Sequence, residues 1–317
     1  MLIYLLKRCL YVLPVAFGVS IICFLLVHIA PGDPLSAVLP PDASADMQEE
    51  MRRIYGFDQP LPIQFWLWLV KALHGDLGTS IATGRPVFDE VRKAVGNTTM
   101  IAVLATLIGF IVGCLFGFVA GYFRGSLLDR VASSVAVLGV SVPHYWLGMV
   151  LVIIFSVELG WLPAVGAGPG GSSDWAWDWA HIRFMILPSV TLSVIPVGII
   201  SRTVRALVAD ILSQEFVSAL RAKGLTDRGV FRHVVKNAAP TALAVMGLQL
   251  GYLLGGSILI ETVFAWPGTG FLLGNAIFQR DLPLLQGTIL VLAMFFVVLN
   301  LLVDIVQALL DPRIQRT

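Results

Sequence analysis

Charge is scarce in this sequence. Only 13% of its 317 residues are Asp, Glu, Lys or Arg, against 57% that are apolar. Soluble domains carry about 25% charged and about 45–50% apolar residues, so this chain does not have the means to build a water-exposed surface throughout. A mean hydropathy of +0.86 makes lipid the solvent for much of it. The charge that exists balances to +1, which argues against nucleic acid as a partner, because phosphate binding needs a clustered basic surplus. Cysteine is nearly missing. Cys9, Cys23 and Cys114 stand singly in apolar runs with no Cys-x-x-Cys spacing, so neither a disulfide framework nor a zinc site is expected, only buried thiols.

Chemistry-bearing motifs are lacking as well. No Gly-x-x-x-x-Gly-Lys-Ser/Thr, His-Glu-x-x-His or Gly-x-Ser-x-Gly occurs, and His28, His74, His144, His181 and His233 are scattered. These absences point to a chain without catalytic residues, metal ligands or a cofactor of its own. Acids inside the apolar runs are equally sparse. Asp304 lies near the end of the last run and Glu261 at the outer end of the fifth. Ion-coupled carriers place ionisable groups at the middle of the membrane, where moving charge does work. The middles of these runs have none, so energy for uphill transport would have to arrive from another protein.

What is present is a set of long apolar runs. A bilayer core of about 30 Å needs about 20 such residues per helix, and six stretches qualify: Cys9–Ala30, Thr98–Phe123, Val131–Val157, Phe184–Leu207, Pro240–Ile260 and Leu284–Leu310. The first has too long a core for a signal peptide and reads as an uncleaved span. The expected fold is an all-α polytopic membrane protein of six transmembrane helices. Positive charge orients it. Lys7 and Arg8, then Arg124 and Arg130, then Arg202, Arg205, Arg221, Lys223, Arg228, Arg232 and Lys236, and finally Arg313 and Arg316 supply 13 of the 21 basic residues. All fall on one side if both termini are cytoplasmic.

The chain thus divides into an amino-terminal helix (1–30), an extracytoplasmic segment (31–97), a transmembrane core (98–310) with a cytoplasmic loop at 208–239, and a tail (311–317). Within 31–97, Ala45–Gly56 is helical and polar, and Ile63–Leu73 is amphipathic with Trp66 and Trp68. Residues 158–183 are Gly-rich and then place Trp175, Trp177 and Trp179 at alternate positions. These tryptophans suit the membrane interface or contact with a soluble partner.

The 208–239 loop is the most informative segment. Glu215 to Gly224 reads as a short amphipathic helix, with Phe216, Ala219, Leu220 and Lys223 on one face and Gly224 ending it in a left-handed conformation. A second short helix, Asp227–Asn237, follows, and Pro240 opens the next span. Such a helix either docks into a groove on another protein or lies on anionic headgroups.

The segment resembles the EAA loop of the permease subunits of ABC importers. Glu215, Val217, Arg221, Ala222, Lys223, Gly224, Asn237, Ala238 and Pro240 match the peptide-importer form, with Phe216 in place of Tyr and Leu220 in place of a smaller Ala. Along the chain, Pro31-Gly32-Asp33-Pro34, Gly75-Asp76-Leu77-Gly78-Thr79-Ser80, Arg85-Pro86-Val87, Gly121-Tyr122-Phe123-Arg124-Gly125 with Asp129-Arg130, and Ser141-Val142-Pro143 are similar to that family in order and spacing. So are Glu261-Thr262-Val263-Phe264, Trp266-Pro267-Gly268, Arg280-Asp281-x-Pro283 and Asp311-Pro312-Arg313.

The resemblance is to the first permease subunit of dipeptide and oligopeptide importers, with the type I permease fold. It implies a location in the bacterial inner membrane. It also implies a second homologous permease subunit, two ATP-binding cassette subunits that use ATP and Mg, and an extracytoplasmic substrate-binding protein. On that reading Glu215, Phe216, Ala219, Leu220, Arg221, Ala222, Lys223 and Gly224 couple to the ATPase. The resemblance makes dipeptides or oligopeptides the expected cargo, with nickel chelates, glutathione or another small solute as the alternative; the reading of another class is an autonomous secondary carrier.

Other residues have two readings each. Ser141 and Pro143, at the middle of the third span, form a kink that either lines the pathway or serves packing. Gly247, Gly251 and Gly255 make a small-residue face on the fifth span, for a helix of this chain or of a second subunit. Glu261 is a cap or gate at the outer end of the pathway, or half of an ion pair.

Overall fold

The computed structural model describes residues 2–29, 44–55, 58–171 and 176–310. Among these the regular structure is helical, apart from an isolated antiparallel bridge between Thr79 and Pro86. Pro31-Gly32-Asp33-Pro34, Asp311-Pro312-Arg313 and Trp175 lie outside the described residues.

The helices are α1 (Leu2–Ile29), α2 (Ala45–Tyr55), α3 (Leu61–Leu73), α4 (Val87–Tyr122), α5 (Leu127–Ser141), α6 (His144–Val152), α7 (Trp179–Ser213), α8 (Glu215–Ala222), α9 (Asp227–Gly256), α10 (Ile258–Val263), α11 (Thr269–Phe278) and α12 (Leu282–Leu310). A wider π-helical turn, Ile153–Glu158, extends α6. Four helices, α4, α7, α9 and Leu282–Leu302 of α12, are long and apolar enough to cross a membrane, and α5 with α6 and its extension passes the same test as a bent pair, which is either a broken span or a re-entrant loop. The 28-residue α1 covers the first expected span, with Leu13–Leu25 an apolar stretch.

Local chemistry explains several helix starts. Ser126, Asp178 and Thr226 sit just ahead of α5, α7 and α9, and their side chains accept from the N–H groups of Asp129, His181 and Gly229. Pro62 occupies the first turn of α3, where its missing N–H costs nothing.

Two expected features differ in the structure. The third span is not one kinked helix: α5 stops at Ser141, and α6 sets off from His144 bent by 97°. Pro143 restricts the residue before it to extended backbone, and Val142 takes φ −81°, ψ 130°. The second difference is Pro240, which does not start a helix. It lies inside a continuous α9 that absorbs the expected Asp227–Asn237 helix. The break is tolerated because Lys236, whose carbonyl would have accepted from position 240, sits on an exposed turn open to other donors.

The residues group into two compact units. Among the described residues, one comprises those of 98–266 and 299–310, the other those of 2–97 and 267–298. In the first, α7 is the central helix, with 61% of its most apolar stretch buried against 33% for α9. Ile200, Val204, Val208 and Ile211 of α7 pack with Val230, Val234, Ala238 and Ala242 of α9.

Small residues bring α4 against the other side of α7. A Cβ on Gly109 would stand 2.5 Å from that of Pro196, one on Gly113 2.9 Å from that of Ile200, one on Gly117 2.5 Å from the Ser201 carbonyl oxygen, and one on Gly121 2.8 Å from that of Arg205. Each is closer than real Cβ contacts come, so only glycine permits this approach. Gly198 likewise lets α7 reach Ala136 and Val140 of α5.

In the second unit, Leu77, Val87, Val91, Ala276, Leu284 and Leu290 form the core. Phe24 and Phe65 stack edge to face at 5.5 Å, seating α3 on α1.

Candidate functional site

The short helix α8 follows α7 after a single residue. Gln214 is extended (φ −75°, ψ 147°) and serves as the end of α7 and the start of α8. Val217 is 1% exposed and anchors α8 in the α7–α9 cluster, with Leu220 and Leu225 packed beside it. Gly224 closes the helix at φ +82°, the left-handed conformation expected of it. The expected face is corrected in one respect. Leu220 turns inward with Val217, one helical turn away, while Phe216, Ala219, Arg221, Ala222 and Lys223 stay exposed. Burial of Val217 pulls Leu220 with it, since residues three apart share a face. Leu220 therefore seats the helix, and its bulk does not project outward.

Just above this helix is a feature that sequence reading missed. The Asp129 carboxylate, 4% exposed, receives Arg205 Nε at 2.5 Å and Arg205 Nη2 at 2.9 Å, each on a different oxygen. The backbone N–H of Gly125 donates to it at 2.9 Å and Ser133 Oγ at 3.1 Å. A two-pronged guanidinium–carboxylate pair fixes orientation as well as distance, and here it ties the start of α5 to α7. Position was the available signal: Asp129 stands two residues ahead of an apolar run, among few acids near such runs.

The expected pathway residues are not brought together into one site. Ser141 is exposed, and its hydroxyl donates to the Val137 carbonyl at 2.8 Å. Pro143 begins α6 at the elbow. Gly251 is buried, but Gly255 has nothing within 4 Å of where a Cβ would be, so the α9 stripe is not a close contact within the chain along its whole length. The stripe that packs is on α4. Glu261, fully buried, lies on α10, a separate helix beyond Ser257. Its Oε1 accepts from Thr98 Oγ1 at 2.8 Å and Ser257 Oγ at 2.7 Å, and its carbonyl accepts from the N–H of Trp266 at 2.8 Å.

In the other unit two distant motifs meet. Asp281, fully buried, accepts from Ser80 Oγ at 2.5 Å and from the N–H groups of Ala82 and Leu284 at 3.1 Å. Asn97 donates to the Pro267 carbonyl at 2.8 Å. Among the described residues, no three His, Cys, Asp or Glu side chains cluster as metal ligands. Cys23 is buried and Cys114 half-buried, both free thiols.

Comparison with known proteins identifies this arrangement. Residues 109–316 match the family model described as binding-protein-dependent transport system inner membrane component, and residues 1–99 match the model of its amino-terminal part. The chain belongs to this family. It is 40% identical over 316 residues to the glutathione transport system permease protein GsiC of Escherichia coli K12, covering 99% of each chain, and equally so to that of Shigella dysenteriae. The fold is similar to that of a chain of the MetNI methionine ABC transporter in inward-facing form, with a TM-score of 0.55 at 17% identity over 70% of this chain and 96% of that one. The chain is thus a multi-pass inner-membrane permease of an ABC importer with the type I fold. In such a permease, α8 is the surface element of interest, because it is small, exposed on one side and rooted in the most buried span.

Proposed function

We propose that this permease is a non-catalytic subunit that crosses the membrane six times, with α1 as the first crossing and both termini on the side of α8. It pairs with a second homologous permease, takes its cargo from an extracytoplasmic binding protein and is driven by two ATP-binding cassette subunits. ATP and Mg belong to those ATPases, and this chain binds no cofactor itself. The observation that carries the reading is α8. Its inner face is fixed by Val217 and Leu220, while Glu215, Phe216, Ala219, Arg221, Ala222, Lys223 and Gly224 remain available to a groove on the ATPase.

The cargo is glutathione or a short peptide of similar size. Relatives named for glutathione transport, at 40% identity over the full length, support that choice over a metal chelate. Ser141, Pro143, Gly251, Gly255 and Glu261 stand as pathway candidates, of which Ser141, Pro143 and Gly255 are exposed.

A cysteine at Ala219 tests the coupling. In the assembled, transport-active complex it is expected to cross-link to a cysteine in the ATPase groove. An active complex in which Ala219→Cys forms no such bond, whichever groove position is used, would sink the docking reading.

A further inference from the structure

We propose that Asp129 and Arg205 form a clamp through which the displacement of α8 reaches the elbow at Ser141–Pro143. The proposal rests on the reading of α8 as the ATPase contact. Both residues are positioning residues that act by holding α5 to α7.

Four observations converge on it. First, the single residue Gln214 joins α7 to α8, and Val217 packs α8 on the α7–α9 cluster, so little slack separates them. Second, Arg205 lies nine residues before Gln214, about 14 Å along α7, and its guanidinium holds Asp129 with both prongs. Third, the carboxylate is also fixed by Gly125 and Ser133, so the pair grips the α4–α5 turn and the first turn of α5. Fourth, Gly198 presses α7 onto Ala136 and Val140 farther along, just before α5 ends at Ser141. The two helices are joined at both ends of their contact, by charge at one and by close packing at the other. A push on α8 therefore carries α5 along with α7 and moves the elbow that α5 ends in. Without the pair, α7 would move and α5 would be left to slide.

The surroundings also account for the particular charges. Every group that meets Asp129 donates a hydrogen bond, so an exchanged pair, with Arg at 129 and Asp at 205, would set a guanidinium against the N–H of Gly125. The clamp works in one orientation only.

The test uses the complete importer in nanodiscs, with Cys9, Cys23 and Cys114 replaced by Ser. Spin labels at Val131 and Ala206, both exposed, report the α5–α7 distance without nucleotide and with ATP, Mg and vanadate. A maleimide probe on Ser141→Cys reports access to the elbow in the same two states. In the otherwise native complex the 131–206 distance is expected to stay the same, while the maleimide rate at 141 changes with nucleotide. In Asp129→Asn the nucleotide dependence of that rate is expected to fall to a ratio of about one while ATP hydrolysis persists.

A native 131–206 distance that changes with nucleotide overturns the clamp, and this arm needs no substitution at the pair. So does a rate at 141 that ignores nucleotide, or an Asp129→Asn complex that keeps its response. A purely structural role would lower the amount of assembled complex and leave the ratio of rates unchanged. Loss of the Ala219→Cys cross-link removes this proposal together with the coupling reading. A kept cross-link with a failed clamp removes this proposal alone.

Discussion

Glu261 concentrates two hydroxyl donors on one carboxylate oxygen in a place where water does not compete. Thr98 is 163 residues away in sequence and Ser257 only four, so the side chain pins α10 to α4 as well as to its own approach. Replacing it by Ala removes the acceptor from two buried hydroxyls, each worth about 1–3 kcal/mol when left unmade. Replacing it by Gln keeps an acceptor carbonyl of the same reach. Thermal unfolding of the purified chain in detergent should therefore rank Glu261→Ala well below Glu261→Gln, and equal losses would remove the hydrogen-bonding account. The buried carboxylate itself was legible as an oddity in an apolar run. Its partner was not, since no spacing rule links position 261 to position 98.

At the scale of the helix, glycine spacing proved ambiguous for a definite reason. Gly247, Gly251 and Gly255 repeat every four residues, and so do Gly109, Gly113, Gly117 and Gly121. Period alone gives the face but not what the face meets. The α4 stripe lies directly on α7, whereas a Cβ at Gly255 would enter open space. Gly117→Ala is expected to destabilise the chain by about 1–3 kcal/mol, the cost of overpacking, and Gly255→Ala to leave its unfolding temperature unchanged. The reverse order would show that α4 and α7 do not pack as described. If the second permease packs on Gly255, that substitution will show in assembly and not in the chain's own stability.

Breaks in the backbone were more readable than contacts, because they depend on one or two neighbouring residues. Gly224 ends α8 as expected, and Pro143 ends a helix as prolines do, although the expected kink became a full break with a 97° bend. Pro240 misled because its cost depends on the exposure of Lys236, a tertiary fact. Leu220 faced inward for the same sort of reason: on an eight-residue helix two adjacent apolar positions are available, and the α7–α9 cluster chose between them.

For the molecule as a whole, membrane location and helical class follow from composition. The element pairings do not, because they join residues such as Ser80 and Asp281, 201 positions apart. A chain with no nucleotide-binding loop should be inert alone. Liposomes holding only this chain are expected to show no ATP-dependent accumulation of labelled glutathione or dipeptide, and adding the second permease, the ATPases and the binding protein should confer it. Uphill uptake by the chain by itself would refute the division of labour proposed above.

The buried Asp281 has a consequence for whatever meets the 80–85 loop from outside. By gripping Ser80 and Ala82 from the start of α12, it makes that loop a fixed ledge. A visitor landing on it finds Thr83 and Arg85 already arrayed and loses little of its binding strength to ordering the loop. Affinity at that edge is then set by the shape and charge of the visitor, and recognition there becomes a matter of fit between two finished surfaces.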